Sequence, residues 1–264
     1  MRVFLVQSAV IWGQPHKNRN NVEELLKRKR IKDGDLIVLP ELFSTGFLTA
    51  KKDLGQKKLQ GILKEDTVFL SYLSKKYQCF LLGSSLGFRR GKFENLSLFF
   101  NPDGILIGKY KKIHPFSIGG EHKYFSSGSK ISVFEMKAHK TLLQTAICYD
   151  LRFPEFFRSG STKGAEIICV QANWPASRQA HWNTLLQARA IENQAWVIGV
   201  NRTGWSGSLV YAGGSQLIDP RGERRLIANK NEGVYHYDIN IGSAEHCRVR
   251  FPVLKDRRPW GLFS

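Results

Sequence analysis

The sequence predicts an α/β protein in which two β-sheets pack face to face with helices outside them. Three features of the 264 residues carry that expectation. Short apolar runs of strand length recur, several of them continuous rather than alternating, which indicates strands buried on both faces. Stretches with helical spacing of apolar residues separate them. These elements fall into two sets of strands, each with its own helices, with no linker, fixed-period repeat or low-complexity segment between them. One domain spanning 1–264 is therefore expected, and α/β chains of this length can form a single core.

In chain order, RVFLVQSAV (2–10) is a β-branched apolar run expected as an interior strand. Residues 20–29 set leucines beside a charged face and read as an amphipathic helix closed by Asp33-Gly34. LIVLP (36–40) is a second buried strand that runs directly into Glu41 and LFSTGF. The end of a parallel strand is where open α/β sheets bind ligands, so Glu41 is a candidate general base. An exposed loop glutamate is the competing reading. Residues 65–77 have helical spacing at Val68, Leu70, Leu73 and Tyr77, and CFLLGSSL (79–86) is the next strand. Residues 95–112 alternate apolar and polar side chains about Pro-Asp-Gly, a hairpin signal. Alternation puts Lys111 and Lys112 on opposite faces, so only one of them can point inward.

Residues 117–130 are loop-like and carry Glu121; ISVFEM (131–136) follows as a strand. The run Leu142–Ile147 then delivers Cys148 to a strand end, where Tyr149, Asp150 and Pro154 mark a turn into a short helix. Such a turn lifts a thiol out of the packed layer, with backbone N–H groups beside it, and suits a nucleophile. Alone, this stretch also fits a small buried hydrophobe, the commoner fate of a free cysteine. AEIICVQANWP (165–175) is another interior strand. Residues 177–195 form the longest helical pattern, with Ser177 as N-cap and His181, Leu185, Ala188 and Ile191 along one face. WVIGVNRTG (196–204), SQLIDPRGE (215–223) and GVYHYDIN (233–240) complete the second set, the middle one turning at Asp-Pro-Arg-Gly.

Composition narrows the class. Charged residues at 23% and apolar residues at 42% describe a globular chain, not a disordered one. No apolar run approaches the roughly 18 residues of a membrane span, and no basic region precedes the N-terminal apolar segment, so a cytoplasmic protein is expected. The four cysteines, at 79, 148, 169 and 247, are too dispersed for a zinc cluster or a disulfide scaffold. A net charge of +18 raises a nucleic-acid-binding alternative. The basic residues are nonetheless scattered, as in KRKRIK (27–32), RR (89–90) and RR (224–225), with no recognition motif, so any such binding is expected to be nonspecific.

Taken together, LPELFSTGF around Glu41, YKKIHPF around Lys112, GGEHKYFSSG around Glu121 and ICYDLRFPEFFR around Cys148 resemble the nitrilase superfamily of carbon–nitrogen hydrolases. The likeness continues in order through HWNTLLQARAIENQAWVIGVNR and GGSQLIDPRGE, and the VLPE, CYDLRFP, ANWP and ARAIENQ wording is similar to the short bacterial omega-amidases. The resemblance implies a four-layer αββα sandwich of two mixed β-sheets flanked by helices, a homodimer formed through outer helices, and neither metal nor organic cofactor. It places the family's base on Glu41, its lysine on Lys112, its nucleophile on Cys148 and its second glutamate on Glu121. Lys112 rather than Lys111 is selected by the K-x-H spacing to His114, and Pro115 departs from the family's usual leucine.

On that assignment Glu41 relays the thiol proton, Lys112 and the Tyr149 backbone N–H hold the oxyanion, and Glu121 orients Lys112. The expected substrate is a small dicarboxylic monoamide, with water as the second reactant. Arg178 is the candidate for its distal carboxylate, and Phe43, Phe116 and Trp174 for the pocket wall. His181 is read as helix packing and His114 as loop support. Another branch of the superfamily, acting on nitriles, N-carbamoyl compounds or other linear amides, is the nearest alternative activity.

Overall fold

A computed structural model describes residues 1–47 and 61–258. The first sheet is begun by β1 (Arg2–Gln7), β2 (Leu36–Val38), β3 (Phe80–Arg89), β4 (Lys92–Phe100) and β5 (Leu106–Lys111). The second is built from β6 (Val133–Met136), β7 (Thr141–Ile147), β8 (Ile167–Ala172) and β9 (Trp196–Asn201). A separate hairpin, β10 (Thr203–Ser206) with β11 (Leu209–Ala212), follows. The chain then adds β12 (Gln216–Ile218) and β13 (Arg224–Ile227) to the second sheet and returns β14 (Gly233–Asp238) to the first. The orders are β14-β1-β2-β3-β4-β5 and β13-β12-β9-β8-β7-β6. Each sheet is mixed, with a parallel trio at its centre: β1, β2 and β3 in one, β7, β8 and β9 in the other.

Strand alternation explains why the sheets stack as they do. Val3 and Leu5 of β1 point to the inter-sheet core with Val38, Leu82, Phe99, Leu143, Ile167 and Ile198. Phe4 and Val6 point the other way, against Val22 and Leu26 of helix Pro15–Lys27 and Leu70 and Leu73 of helix Ile62–Tyr77. On the second sheet, Ile168, Val170 and Val197 face outward onto Phe156 and Phe157 of helix Pro154–Thr162 and Trp182, Leu186 and Ala190 of helix Gln179–Asn193. The continuous apolar runs are thus strands sandwiched on both sides, in an αββα arrangement. No helix among the described residues is long and apolar enough to cross a membrane.

Helix boundaries depart from the sequence pattern for identifiable reasons. The first helix starts at Pro15 rather than residue 20, because Pro suits the first turn and because its early buried positions are the polar Asn18 and Arg19. The second starts at Ile62, and its Val68 is exposed while Asp66 is buried. The long helix begins at Gln179, with Arg178 rather than Ser177 at the N-cap and no side-chain cap there. Its buried face is Trp182, Leu186, Arg189, Ala190 and Asn193, rotated by one residue from the expected stripe. Arg189 and Asn193 are hydrogen-bonded inside that face, to the Leu151 carbonyl and the Arg189 carbonyl, and their polarity disguised it. His181 is exposed and meets Arg152 rather than packing.

One buried polar bridge ties the sheets together beneath their strand ends. Gln171 of β8 donates to the Leu39 carbonyl (2.8 Å), just beyond β2, and accepts from Ser97 of β4 (2.6 Å). Ser97 also meets Thr145 of β7 at 3.0 Å. Gln171→Leu strips buried groups of a partner, so it is expected to destabilise the fold by about 1–3 kcal/mol. A lowered urea midpoint with unchanged denaturant slope would report it.

Candidate active site

Four side chains far apart in sequence meet at one rim of this sandwich. Glu41 sits three residues past β2, where the backbone turns through Leu42 at φ 45° and Leu42 N–H donates to Ser84 Oγ (3.0 Å). Lys112 directly follows β5, and its backbone N–H is held by the Asn95 carbonyl on β4 at 2.9 Å. Lys111 points the other way and pairs with Glu94 at 3.2 Å. Glu121 opens a one-turn helix, Glu121–Tyr124, with its N–H on the Phe116 carbonyl (3.0 Å) and its carboxylate accepting from Phe116 N–H (2.5 Å).

Cys148 lies at the end of β7 in the left-handed region, φ 47°, a conformation that costs a side-chain-bearing residue energy and recurs at functional turns. Asp150 holds the turn in place. Its buried carboxylate accepts from Ile147 N–H (2.9 Å), the Tyr110 hydroxyl (2.7 Å) and His114 N–H (3.1 Å), and lies 2.8 Å from His114 Nδ1. His114 therefore links the Lys112 strand end to the cysteine turn, stacked on Phe153 at 3.9 Å. Both the lysine and the sulfur are anchored through one acid.

Between these elements lies a compact ionic cluster. Lys112 Nζ is 3.0 Å from Glu41 Oε1 and 2.9 Å from Glu121 Oε2, and the three residues are no more than 2% exposed. Burial acts to lower the Lys112 pKa, but the charges of Glu121 and Glu41 outweigh it, so the ammonium stays protonated well above the usual lysine range. Burial and the Glu41 charge push the Cys148 thiol up, with Lys112 only partly opposing them. The resting sulfur thus carries its proton at neutral pH, and a base must take it when the sulfur attacks. Cys148 Sγ lies 3.9 Å from the Asn173 carbonyl, while Asn173 N–H donates to Glu41 Oε2 (2.9 Å).

A cavity of about 130 Å³ opens onto Cys148, Glu41 and Lys112. Phe116, Trp174, Tyr149 and Arg178 line it, along with Phe47, Arg152, Asn173 and Tyr211. Phe43 does not reach it. After the Leu42 turn that ring enters the outer core of the first sheet and stacks on Phe69 at 6.0 Å; Phe47 is the phenylalanine on the cavity wall. Sequence reasoning also missed Asn95, Asn173, Arg152 and Tyr211. A signal existed for Asn95, a polar residue inside an apolar strand, and for Arg152, four residues after the cysteine. Tyr211 lies on the β10–β11 hairpin, which was not foreseen. Among the described residues no group of three or more His, Cys, Asp or Glu side chains is placed to hold a metal ion.

A thiol on a strained turn, a buried acid beside it and a fixed cation define a site suited to acyl transfer from nitrogen to sulfur and then to water. The chain belongs to the carbon–nitrogen hydrolase family, whose model matches residues 2–249. Similar proteins include the hydrolase in the agr operon of Staphylococcus aureus, 33% identical with 97% of each chain covered. The 2-oxoglutaramate amidase of Bacillus subtilis is 34% identical, again over 97% of both. A crystal structure of a CN-hydrolase superfamily protein from Xanthomonas campestris, with an arsenic adduct in its active site, superposes with a TM-score of 0.89 at 31% identity, covering 98% of each chain.

Proposed function

We propose that this carbon–nitrogen hydrolase releases ammonia from the ω-amide of small dicarboxylic monoamides, such as 2-oxoglutaramate and 2-oxosuccinamate, through a thioester on Cys148. In the first half, Glu41 takes the Cys148 proton as sulfur bonds to the amide carbon. The carbonyl electron pair moves to oxygen, between the Lys112 ammonium and the Tyr149 backbone N–H. Glu41 returns the proton to nitrogen, the C–N bond breaks and ammonia leaves. In the second half, Glu41 deprotonates a water that adds to the thioester, and the carboxylic acid departs as sulfur regains its proton. Glu121 keeps Lys112 oriented without transferring a proton itself.

The observation that carries the substrate class is a pair of arginines at a largely aromatic cavity. Arg152 lies over Trp174 at 4.9 Å and Arg178 over Phe116 at 5.7 Å. Neither forms an ion pair with a carboxylate among the described residues. Guanidiniums braced on rings favour a substrate that brings its own carboxylate. The name of the Bacillus subtilis relative points the same way.

The test is ammonia release from 2-oxoglutaramate and succinamate beside nitrile and N-carbamoyl compounds. Turnover of the first pair is expected, and no release from either rejects the substrate class. Arg152→Met and Arg178→Met are each expected to raise KM for these substrates by about 10–100-fold, the range for a lost charged hydrogen bond. KM for a monoamide without a carboxylate should stay unchanged.

A further inference from the structure

We infer that Asn95 is a positioning residue that, together with Lys112, occupies Glu41 Oε1 and so leaves Oε2 as the oxygen that receives the Cys148 proton. This rests on the base role proposed for Glu41. Asn95 is buried on β4 and does not line the cavity, so it acts on the reaction only through its neighbours. Its Nδ2 donates to Glu41 Oε1 at 2.8 Å and to Glu121 Oε1 at 3.3 Å. Lys112 Nζ contacts the same two oxygens, at 3.0 and 3.2 Å. Two like-charged oxygens thus share two donors, one cationic and one neutral.

A carboxylate oxygen has two in-plane lone pairs. Those of Glu41 Oε1 are taken by Lys112 and Asn95. Glu41 Oε2 receives only Asn173 N–H among the described residues, which leaves one lone pair open. Asn173 also supplies a carbonyl 3.9 Å from the sulfur, so Oε2 and Sγ contact the same residue. The other end of the Asn95 amide is informative too. Its Oδ1 is buried with no hydrogen-bond partner among the described residues. A buried amide that forgoes one partner is unfavourable unless its donors have a use, and here both go to the two carboxylates.

Kinetics of Asn95→Leu and Asn95→Asp, beside Glu41→Gln, test this. Leucine keeps the shape and removes the donors. It is expected to lower kcat by about 10–100-fold, the range for lost hydrogen bonds to a charged group, with KM held within about threefold. Aspartate replaces the donor by an acceptor facing Glu41 and Glu121, whose shared counter-ion is Lys112 and whose charges act on the Cys148 thiol. Its protonated form can donate again, so the activity optimum of Asn95→Asp should move to lower pH than that of the unaltered enzyme. Thermal melts establish that each variant is folded, and Asn95→Asp alone decides if Asn95→Leu does not fold. A folded Asn95→Leu with kcat near the unaltered value, or an unmoved optimum in Asn95→Asp, overturns the role of Asn95. Retained activity in Glu41→Gln overturns instead the base reading beneath it.

Discussion

Cys148→Ala is expected to abolish amide hydrolysis, by roughly 10⁴-fold or more, because the proposed thioester forms on its sulfur. The loss should be in kcat, with ligand binding retained: the arginines, the aromatic walls and the Glu41–Lys112–Glu121 cluster do not depend on the sulfur for their contacts. Folding should also survive. The turn is fixed by the four contacts to Asp150, and alanine accepts the φ of 47° no worse than cysteine does. Intact-mass spectrometry under substrate gives the direct measurement. An adduct equal to the acyl group is expected on the unaltered protein and none on Cys148→Ala. An adduct that persists in the variant would move the nucleophile elsewhere.

The strands and their ends were legible in the sequence because two-sided burial favours apolar residues on both faces, with only a few hydrogen-bonded polar positions such as Ser97 and Gln171. That is why the runs ending at Glu41, Cys148 and Asn173 stand out. The helices were legible only where their buried faces are apolar. Asn18, Arg19, Asp66, Arg189 and Asn193 turn inward to hydrogen-bonding partners, and each broke the expected stripe. The same logic separates the site residues. Alternation limited the inward lysine to Lys111 or Lys112, since a strand shows one face at a time, and only the K-x-H spacing of the resemblance chose between them. Phe43 was expected on the pocket wall and lies in the outer core instead, because the positive φ at Leu42 redirects everything after it and nothing in a leucine announces that turn. Asn95 and Asn173 act through an amide group and a peptide unit, whose functions appear only once the partners are in place.

Lys112→Met is expected to damage stability and activity together. The lysine is the cation between two buried carboxylates at about 3 Å, and removing it leaves both charges without their counter-ion. Breaking a buried ion pair by deleting one partner costs about 3–5 kcal/mol, several times what a surface pair is worth. The catalytic share is separable. A lost oxyanion donor lowers kcat by about 10²–10³-fold in protein that is still folded. The double variant Lys112→Met, Glu121→Gln distinguishes the two effects. Neutralising Glu121 leaves one buried carboxylate in place of two, and Asn95 can still donate to Glu41, so part of the lost stability should return. Activity should not return with it, because the ammonium proposed to face the oxyanion is gone and the cavity's guanidiniums are assigned to the substrate carboxylate. Recovery of turnover in the double variant would mean that Lys112 acts only as scaffolding, and that the developing negative charge is held by other groups.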